Sequence, residues 1–249
     1  MFGIKEVNKV MNELREKPRF FVSEAHFQMS FIKEAMRLFN DKFEYYPEFH
    51  IRLNEGTINE ENFEIDLLIL EKSTNEKTLI EFKHKTTNTS NKSFKIPLPF
   101  DEGYFVPTSM AAQDLGKFDC WSDIERLEKL INVEKIYDNG FFILVSNDDL
   151  YWKNTKENNT HGRDFSLDSF RKGTKSWDKW NDEIGHVDDS LIGGITHGRD
   201  RKITINYCHK FKWSDPPFAT FDHQLKPRET KKCGVYKYLV VELSKNDEK

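Results

Sequence analysis

Two acidic residues and a lysine lie close together in two neighbouring segments that have the composition of buried strands. Glu81 follows Asp66 by fifteen positions, and Lys83 follows Glu81 by two. The runs Ile65–Leu70 and Lys77–Lys83 are rich in Ile and Leu, and a polar turn joins them, so a pair of buried strands is predicted. A carboxylate in such a strand is costly to bury without a partner or a metal ion.

Strand geometry predicts that the three side chains face the same way. Side chains alternate between the two faces of a strand, so Glu81 and Lys83 share one face. If the hairpin closes over Ser73–Thr74, Asp66 lies opposite Glu81, and a register two residues along places it opposite Lys83. Both registers bring the three groups within reach of one another, whereas a bulge or an odd-length loop would separate them.

The chemistry that suits these three groups is phosphodiester hydrolysis. Two nearby carboxylates repel each other, and oxygen ligands without Cys or His favour Mg²⁺ or Mn²⁺ over Zn²⁺ as the ion that relieves this repulsion. Such an ion polarises a phosphoryl oxygen and lowers the pKa of water, while Lys83 positions that water or stabilises developing charge. The Phe82 carbonyl is a further candidate metal ligand. The alternative is an exposed hairpin with ordinary cross-strand ion pairs.

The order of these residues resembles the active-site motif of the PD-(D/E)XK nuclease superfamily, which includes many restriction endonucleases. Asp66 matches the first acid, Glu81 the second and Lys83 the lysine, with Ile65 in place of the Pro. The resemblance implies an α/β fold with a restriction-endonuclease-like central mixed sheet flanked by helices. It also implies Mg²⁺ (or Mn²⁺) as the cofactor, double-stranded DNA as the partner, a homodimer, and a role in restriction or anti-phage defence.

A helix is predicted upstream of the hairpin, over Glu24–Phe39 with Ser23 as its N-cap. Its apolar residues recur at helical spacing, at Phe27, Phe31, Ala35, Leu38 and Phe39. Glu24 and Gln28 lie one turn apart beside this stripe. The superfamily often places an additional acid on this helix, and Glu24 is the candidate. Alternatively, Glu24 is a first-turn acid that the helix dipole favours.

A second helix is predicted over Ser109–Glu128, in one piece or in two around Gly116, and a strand over Phe141–Ser146. This order of elements matches the core layout of the superfamily. Its exonuclease branch carries a Gln on this helix, which makes Gln113 a candidate nucleic-acid contact; alternatively, Gln113 lies on a solvated face. Three charged residues are predicted to pair along the helix as structural residues: Asp119, Asp123 and Arg126.

Length and composition indicate one elaborated domain, with a core over about 20–146 and a C-terminal extension over about 147–249. The extension contains strand-like runs over 202–213 and 235–243, and it either extends the sheet or recognises substrate. No apolar run reaches the length of a membrane span, and no secretory signal is recognised. The three cysteines have no paired spacing, which favours the reducing cytoplasm: Cys120, Cys208 and Cys233.

The net charge of −4 does not exclude a nucleic-acid partner, because local basic patches make such contacts. Lys85, Lys92 and Lys95 follow the second acidic strand and are candidate phosphate contacts; alternatively, they form an ordinary solvated basic loop. The pentapeptide Thr-His-Gly-Arg-Asp occurs at 160–164 and again at 196–200. It either contacts phosphates or is repeated by coincidence.

These features together predict a Mg²⁺-dependent deoxyribonuclease in which Asp66, Glu81, Lys83 and Glu24 are catalytic. Two alternatives stay open. The first is a DNA-binding or assembly module that keeps the fold without turnover, and the second is a nuclease that acts on RNA.

Overall fold

The described part of the chain contains three α-helices and eleven strands, together with two 3-10 helices and the short π-helix Lys129–Val133. The computed structural model describes residues 1–16, 21–53, 61–87, 96–97, 104–105, 113–152, 165–167, 171–175, 201–220 and 235–245. The helices are α1 (Ile4–Glu16), α2 (Glu24–Phe39) and α3 (Gln113–Glu128). The strands are β1 (Phe43–Leu53), β2 (Glu61–Glu71), β3 (Lys77–Lys85), β4 (Ile96–Pro97), β5 (Tyr104–Phe105), β6 (Asn139–Ser146), β7 (Arg171–Lys175), β8 (Ile203–His209), β9 (Lys212–Trp213), β10 (Ala219–Thr220) and β11 (Val235–Ser244).

One mixed sheet contains seven of these strands, in the order β1-β2-β3-β6-β11-β10, with β9 also paired to β11. Among the described strands, only β3 and β6 pair in parallel, and α3 is the helix of the connection between them. The strands β4 with β5, and β7 with β8, form two small separate sheets. The protein is therefore mixed α/β, with a mostly antiparallel main sheet flanked by helices. Strands β9 to β11 extend that sheet from the C-terminal half.

Helices cover both faces of the main sheet. Alternate residues of β3 belong to two different cores: Ile80 and Phe82 pack with α1 and α2, whereas Leu79 packs with α3. This division follows from the alternation of side chains along a strand. Even-numbered side chains of β3 therefore face α1 and α2, and odd-numbered side chains, including Glu81 and Lys83, face α3.

Helix α2 begins where the sequence predicts. The Ser23 hydroxyl accepts a hydrogen bond from the backbone N–H of His26 at 3.1 Å, which satisfies one of the donors left unpaired in the first turn. Phe27 and Phe31 are fully buried, with ring centroids 5.2 Å from that of Phe82. Packing of these rings fixes the start of α2 beside the C-terminal part of β3.

Helix α3 runs through Gly116 as one piece, although glycine weakens a helix interior. A methyl group at position 116 would overlap the Tyr151 hydroxyl, so the tight contact with that side chain requires glycine. The predicted start at 109–112 lies outside the described residues. The predicted strand that follows α3 is confirmed as β6. Its second residue is a glycine in a tight contact, since a side chain at Gly140 would collide with Ile131.

The strand-like run over 202–213 is interrupted at Lys210 and Phe211. It forms β8, which pairs with β7, and the two-residue β9, which pairs with β11. The run over 235–243 is confirmed as β11, which lies beside β6. None of the described helices has both the length and the apolar character needed to cross a bilayer.

Candidate functional site

The predicted strand pair around Asp66 and Glu81 is present, and its two strands separate where these residues lie. Pairing of β2 with β3 runs from Leu70↔Lys77 to Leu67↔Ile80. One step further, the same register sets Asp66 opposite Glu81, as a hairpin closing over 73–74 predicts. From that point β3 continues along β6 as far as Lys85. The strands β2 and β3 thus form a fork, and Asp66 lies at its base.

The fork frees backbone donors of β3 that a continued ladder would have used. The N–H of Phe82 donates to Asp66 Oδ2 at 2.6 Å, and the N–H of His84 donates to Glu24 Oε2 at 2.9 Å. From α2, the side-chain amide of Gln28 donates to the backbone carbonyl of Asp66. The two carboxylates are therefore fixed by the edge of the strand that carries Glu81 and Lys83.

Two further charged residues come from α3. Lys83 Nζ lies 2.9 Å from Asp123 Oδ2 and 3.5 Å from Glu24 Oε1. Arg126 Nη2 lies 2.6 Å from Glu81 Oε1 and 2.8 Å from Asp123 Oδ1. Six side chains thus form what we call the charge cluster: Glu24, Asp66, Glu81, Lys83, Asp123 and Arg126.

The predicted pair of Asp123 and Arg126 along α3 is confirmed. They also face β3, because α3 crosses the sheet face that the odd-numbered side chains of that strand occupy. Asp123 contacts the motif lysine, and Arg126 contacts the second motif acid.

Glu81 is the most deeply buried member of the charge cluster, with 1% of its surface exposed. Arg126 donates to one oxygen of its carboxylate, Oε1. Among the described residues, no donor reaches the other oxygen, Oε2. The cluster contains four carboxylates and two cations, so its formal charge is −2 when all are ionised. A buried excess of negative charge is costly unless a further cation compensates it.

Burial shifts the pKa values of Glu81 and Asp66 upward. Burial raises the pKa of Glu81 well above its usual range, the negative charges of Asp123 and Asp66 raise it further, and Arg126 and Lys83 oppose them. Burial also raises the pKa of Asp66, against the lowering effect of the Phe82 N–H. Burial is the largest cause of both shifts, and a hydrogen bond between the two carboxyl groups works against the rise at Asp66.

Lys83 is held as an ammonium ion. Burial alone would lower its pKa, but the carboxylates of Asp123, Glu24 and Asp66 outweigh burial and raise it. A lysine in this state does not accept a proton near neutral pH. Its chemistry is therefore electrostatic, namely the stabilisation of negative charge and the orientation of a polar group by its N–H donors.

The donor set suits a hard divalent ion. Glu81 Oε2 is buried and has no donor among the described residues, the carboxylates of Asp66 and Glu24 lie at the same fork, and these oxygens are ligands that Mg²⁺ and Mn²⁺ prefer. Within the ranges that the structure describes, no group of three or more His, Cys, Asp or Glu side chains is already arranged to hold an ion. Lys83 contacts the Glu24 carboxylate, and Arg126 contacts that of Glu81.

The remaining predicted site residues lie around this cluster or outside the described residues. The Phe82 backbone lies at the fork through its N–H, while its side chain is in the opposite core. Lys85 Nζ lies 3.9 Å from Asp119, and Gln113 donates to Asp148 at 3.0 Å. Lys92, Lys95 and both copies of the repeated pentapeptide lie outside the described residues.

Sequence reasoning did not assign Gln28, Asp123 and Arg126 to the site. One signal was present for Gln28, because it follows Glu24 by one helical turn and so projects from the same side of α2. For Asp123 and Arg126 the spacing of three residues is equally typical of an isolated intrahelical pair. Their role at the site depends on how α3 crosses β3, which local sequence does not reveal.

Comparison with protein-family models, with curated proteins and with solved structures gives no match to this chain. Similarity therefore assigns no family, and the geometry of the charge cluster carries the functional inference.

Proposed function

We propose that this protein is a metal-dependent deoxyribonuclease of restriction-endonuclease-like fold. One observation carries the proposal. Two strands separate beside a deeply buried carboxylate that has an oxygen without a donor among the described residues, and two more carboxylates and a lysine converge on the same fork. The residues are Asp66, Glu81, Lys83 and Glu24, which are those that the resemblance to the PD-(D/E)XK superfamily selects.

In this proposal, Asp66 and Glu81 hold Mg²⁺ or Mn²⁺, with Glu24 as a third acid and the Phe82 carbonyl as a further ligand. When bound, the ion supplies Lewis-acid polarisation of a phosphoryl oxygen and a lowered pKa of water. Lys83 donates hydrogen bonds to the attacking water or to the phosphate oxygens, and its ammonium stabilises the charge that develops there. The Phe82 and His84 amides keep Asp66 and Glu24 aligned throughout.

In this mechanism, Arg126 is a second cation, besides Lys83, that contacts the substrate. Its guanidinium contacts Glu81. With 28% of its side chain accessible, Arg126 is more exposed than Lys83, Asp123 or Glu81. A guanidinium matches two phosphate oxygens in geometry as well as it matches a carboxylate. Arg126 is therefore placed to transfer from Glu81 to a phosphate of the substrate when another cation neutralises Glu81.

Cleavage of supercoiled plasmid tests the proposal. With Mg²⁺ the parent protein is expected to nick or linearise the plasmid, and with EDTA it is expected to leave it intact. Asp66→Asn and Glu81→Gln are expected to lower the rate at least about a hundredfold. Asp66→Asn keeps an oxygen that accepts the Phe82 N–H, so it removes charge with little effect on local structure. Linear DNA, single-stranded DNA and RNA in the same assay define the substrate.

Glu64→Gln is the matched control, because Glu64 is exposed on β2 two residues before Asp66 and pairs across to His50. It should cut the plasmid at the parent rate. Parent-like cleavage by Asp66→Asn and Glu81→Gln would remove both residues from the mechanism. An inactive parent on every nucleic acid would end the enzyme proposal.

The alternative of a DNA-binding or assembly module without turnover has one observation in its favour. Arg126 and Lys83 already neutralise part of the charge cluster, and a purely structural network would do the same. The plasmid assay separates the two functions, because a binding module retards DNA in a gel with or without Mg²⁺ and never cuts it.

The proposal also includes a cytoplasmic location and a homodimer. Free thiols at the buried Cys120 and the exposed Cys208 support the reducing compartment. The dimer follows from the need to cut two strands of a duplex, and sedimentation of the protein with a short duplex tests it.

A further inference from the structure

A cleft of about 560 Å³ lies directly beside the charge cluster. Its walls are the outer side of α3, the beginning of β8 and the tip of β2, where Phe63 lies. Arg126 is common to the cleft and the charge cluster. The cleft therefore leads to the carboxylates of the fork from the side of the exposed guanidinium.

Three cations and two glutamates line this cleft. The cations are Arg126, Lys129 and Arg201. Its two glutamates are directed toward β8. Glu125 accepts the Thr204 N–H at 2.6 Å and pairs with Arg201, and the buried Glu128 accepts hydrogen bonds from the N–H groups of Asn206 and Tyr207.

Two apolar side chains also line the cleft, Phe63 and Val133. Phe63 is half-buried, and Lys129 Nζ lies 5.6 Å from the centre of its ring. Val133, one turn further along the chain, is 59% exposed. The cleft thus combines cations, an aromatic ring and the side-chain amide of Asn206, which also donates to Glu128. These groups match the phosphate, the base and the polar groups of a nucleotide. The volume is in the range of small-ligand sites.

We propose that this cleft binds a nucleotide of the DNA strand next to the scissile phosphate. Lys129 and Arg201 contact the backbone phosphate, and Phe63 contacts the base. Arg126 connects this nucleotide to the rest of the charge cluster through its contact with Glu81. The inference rests on the proposed nuclease function, and it adds a binding subsite made of residues outside the three-residue motif.

Fluorescence anisotropy of a short labelled DNA, as a single strand and as a duplex, measures the subsite directly. The buffer contains Ca²⁺ in place of Mg²⁺, and a gel verifies that the DNA stays intact. Lys129→Gln and Arg201→Gln are each expected to raise Kd about tenfold. Each is also expected to reduce the slope of log K against log salt concentration by about one, because each removes a phosphate contact.

Two variants control for general charge and for local structure. Lys33→Gln makes the same charge change on the exposed side of α2, across the sheet, and should leave Kd and the salt slope unchanged. Arg201→Lys keeps the charge but not the bonds to Glu125 and Ser122, so it should keep the parent salt slope. Thermal unfolding of each variant verifies that it is folded.

The cleft proposal is overturned if Lys129→Gln and Arg201→Gln bind DNA as Lys33→Gln does, or if the parent binds neither form of DNA. It is also overturned if Arg201→Lys loses as much affinity as Arg201→Gln, since Arg201 would then only support the wall. Parallel plasmid cleavage separates the two proposals. Unchanged affinity with intact cleavage removes the cleft alone, whereas cleft-dependent binding without cleavage removes the nuclease function alone.

Discussion

The two faces of the main sheet make different use of the same strand. Toward α1 and α2, β3 presents Ile80 and Phe82, which are fully buried in an aromatic core. Toward α3, the alternate residues Glu81 and Lys83 enter a network of buried charges. Both faces bury apolar side chains, which on the α3 side include Leu79, Trp121 and Phe142. The α3 face adds carboxylates to its apolar core, and their burial is costly when their charge is not compensated.

The fork connects the two faces. Gln28 belongs to α2, on the apolar side, but its amide bonds to the Asp66 carbonyl, and Glu24 at the start of the same helix reaches Lys83. The aromatic packing of α2 on Phe82 therefore places the two polar residues of its first turns. If this comparison holds, substitutions in the aromatic core beneath α2 should act on stability, and those in the charge cluster should act on activity.

The largest effect is expected from Phe82→Ala. This change removes a ring packed against Phe27 and Phe31 and leaves the backbone at the fork in place. It should lower the free energy of unfolding by about 3–5 kcal/mol, measured by urea denaturation. Phe49→Ala, at a half-buried position of β1, is the control and should cost clearly less. Equal costs at the two positions would mean that packing of Phe82 against α2 contributes no more to stability than a half-buried ring does.

A somewhat smaller effect, on the rate of cleavage and not on folding, is expected at Lys83, which follows Phe82 in β3. Lys83→Met removes the ammonium that Asp123 and Glu24 hold beside the fork. The loss of transition-state stabilisation should be about 3 kcal/mol, or roughly a hundredfold in the single-turnover rate of plasmid cleavage. If the cleavage rate of a folded Lys83→Met protein falls by less than about tenfold, Lys83 does not act in the reaction as proposed.

Gln28→Met tests the connection between the faces. The variant has a similar volume but leaves the Asp66 carbonyl without its donor, which should cost about 1–2 kcal/mol in the free energy of unfolding. Cleavage should slow at the same time, because Asp66 loses one of the contacts that orient it. Destabilisation with a fully retained cleavage rate would show that Gln28 supports the fold alone.

The smallest effect concerns thiol reactivity on the α3 side. Cys120 is fully buried, and burial raises its pKa to about 12, whereas Cys208 is exposed. At pH 8, iodoacetamide should modify Cys208 in the folded protein and reach Cys120 only after unfolding, as peptide mass spectrometry can measure. Rapid modification of Cys120 in the folded state would mean that the core beneath α3 is open to water.

Local patterns were sufficient to predict the elements of the site. The cap at Ser23, the alternation along β3 and the apolar run of β6 each depend on residues close in sequence, and each prediction is confirmed. Parity along β3 also predicted that Glu81 and Lys83 share a face. These features follow from strand and helix geometry, so no tertiary information was needed.

The contacts that complete the site depend on tertiary packing and were not predicted. The fork at Asp66 requires β2 to leave β3 while β3 continues along β6, and no local signal marks that point. Arg126 reaches Glu81 because α3 crosses the sheet at that position. The sequence spacing of Asp123 and Arg126 is satisfied equally by an isolated pair on a helix surface.

Thermal unfolding of the parent and of Glu81→Gln, with and without Mg²⁺, tests most directly whether the charge cluster is a metal site. Mg²⁺ should raise the unfolding midpoint of the parent, since a ligand that binds the folded state stabilises it. Glu81→Gln should unfold at the parent midpoint or above it without metal, because it removes excess buried negative charge, and it should gain nothing from Mg²⁺. A metal-free Glu81→Gln protein destabilised by about 3 kcal/mol or more, with the same Mg²⁺ response as the parent, would contradict this and identify Glu81 as a partner in a structural ion pair.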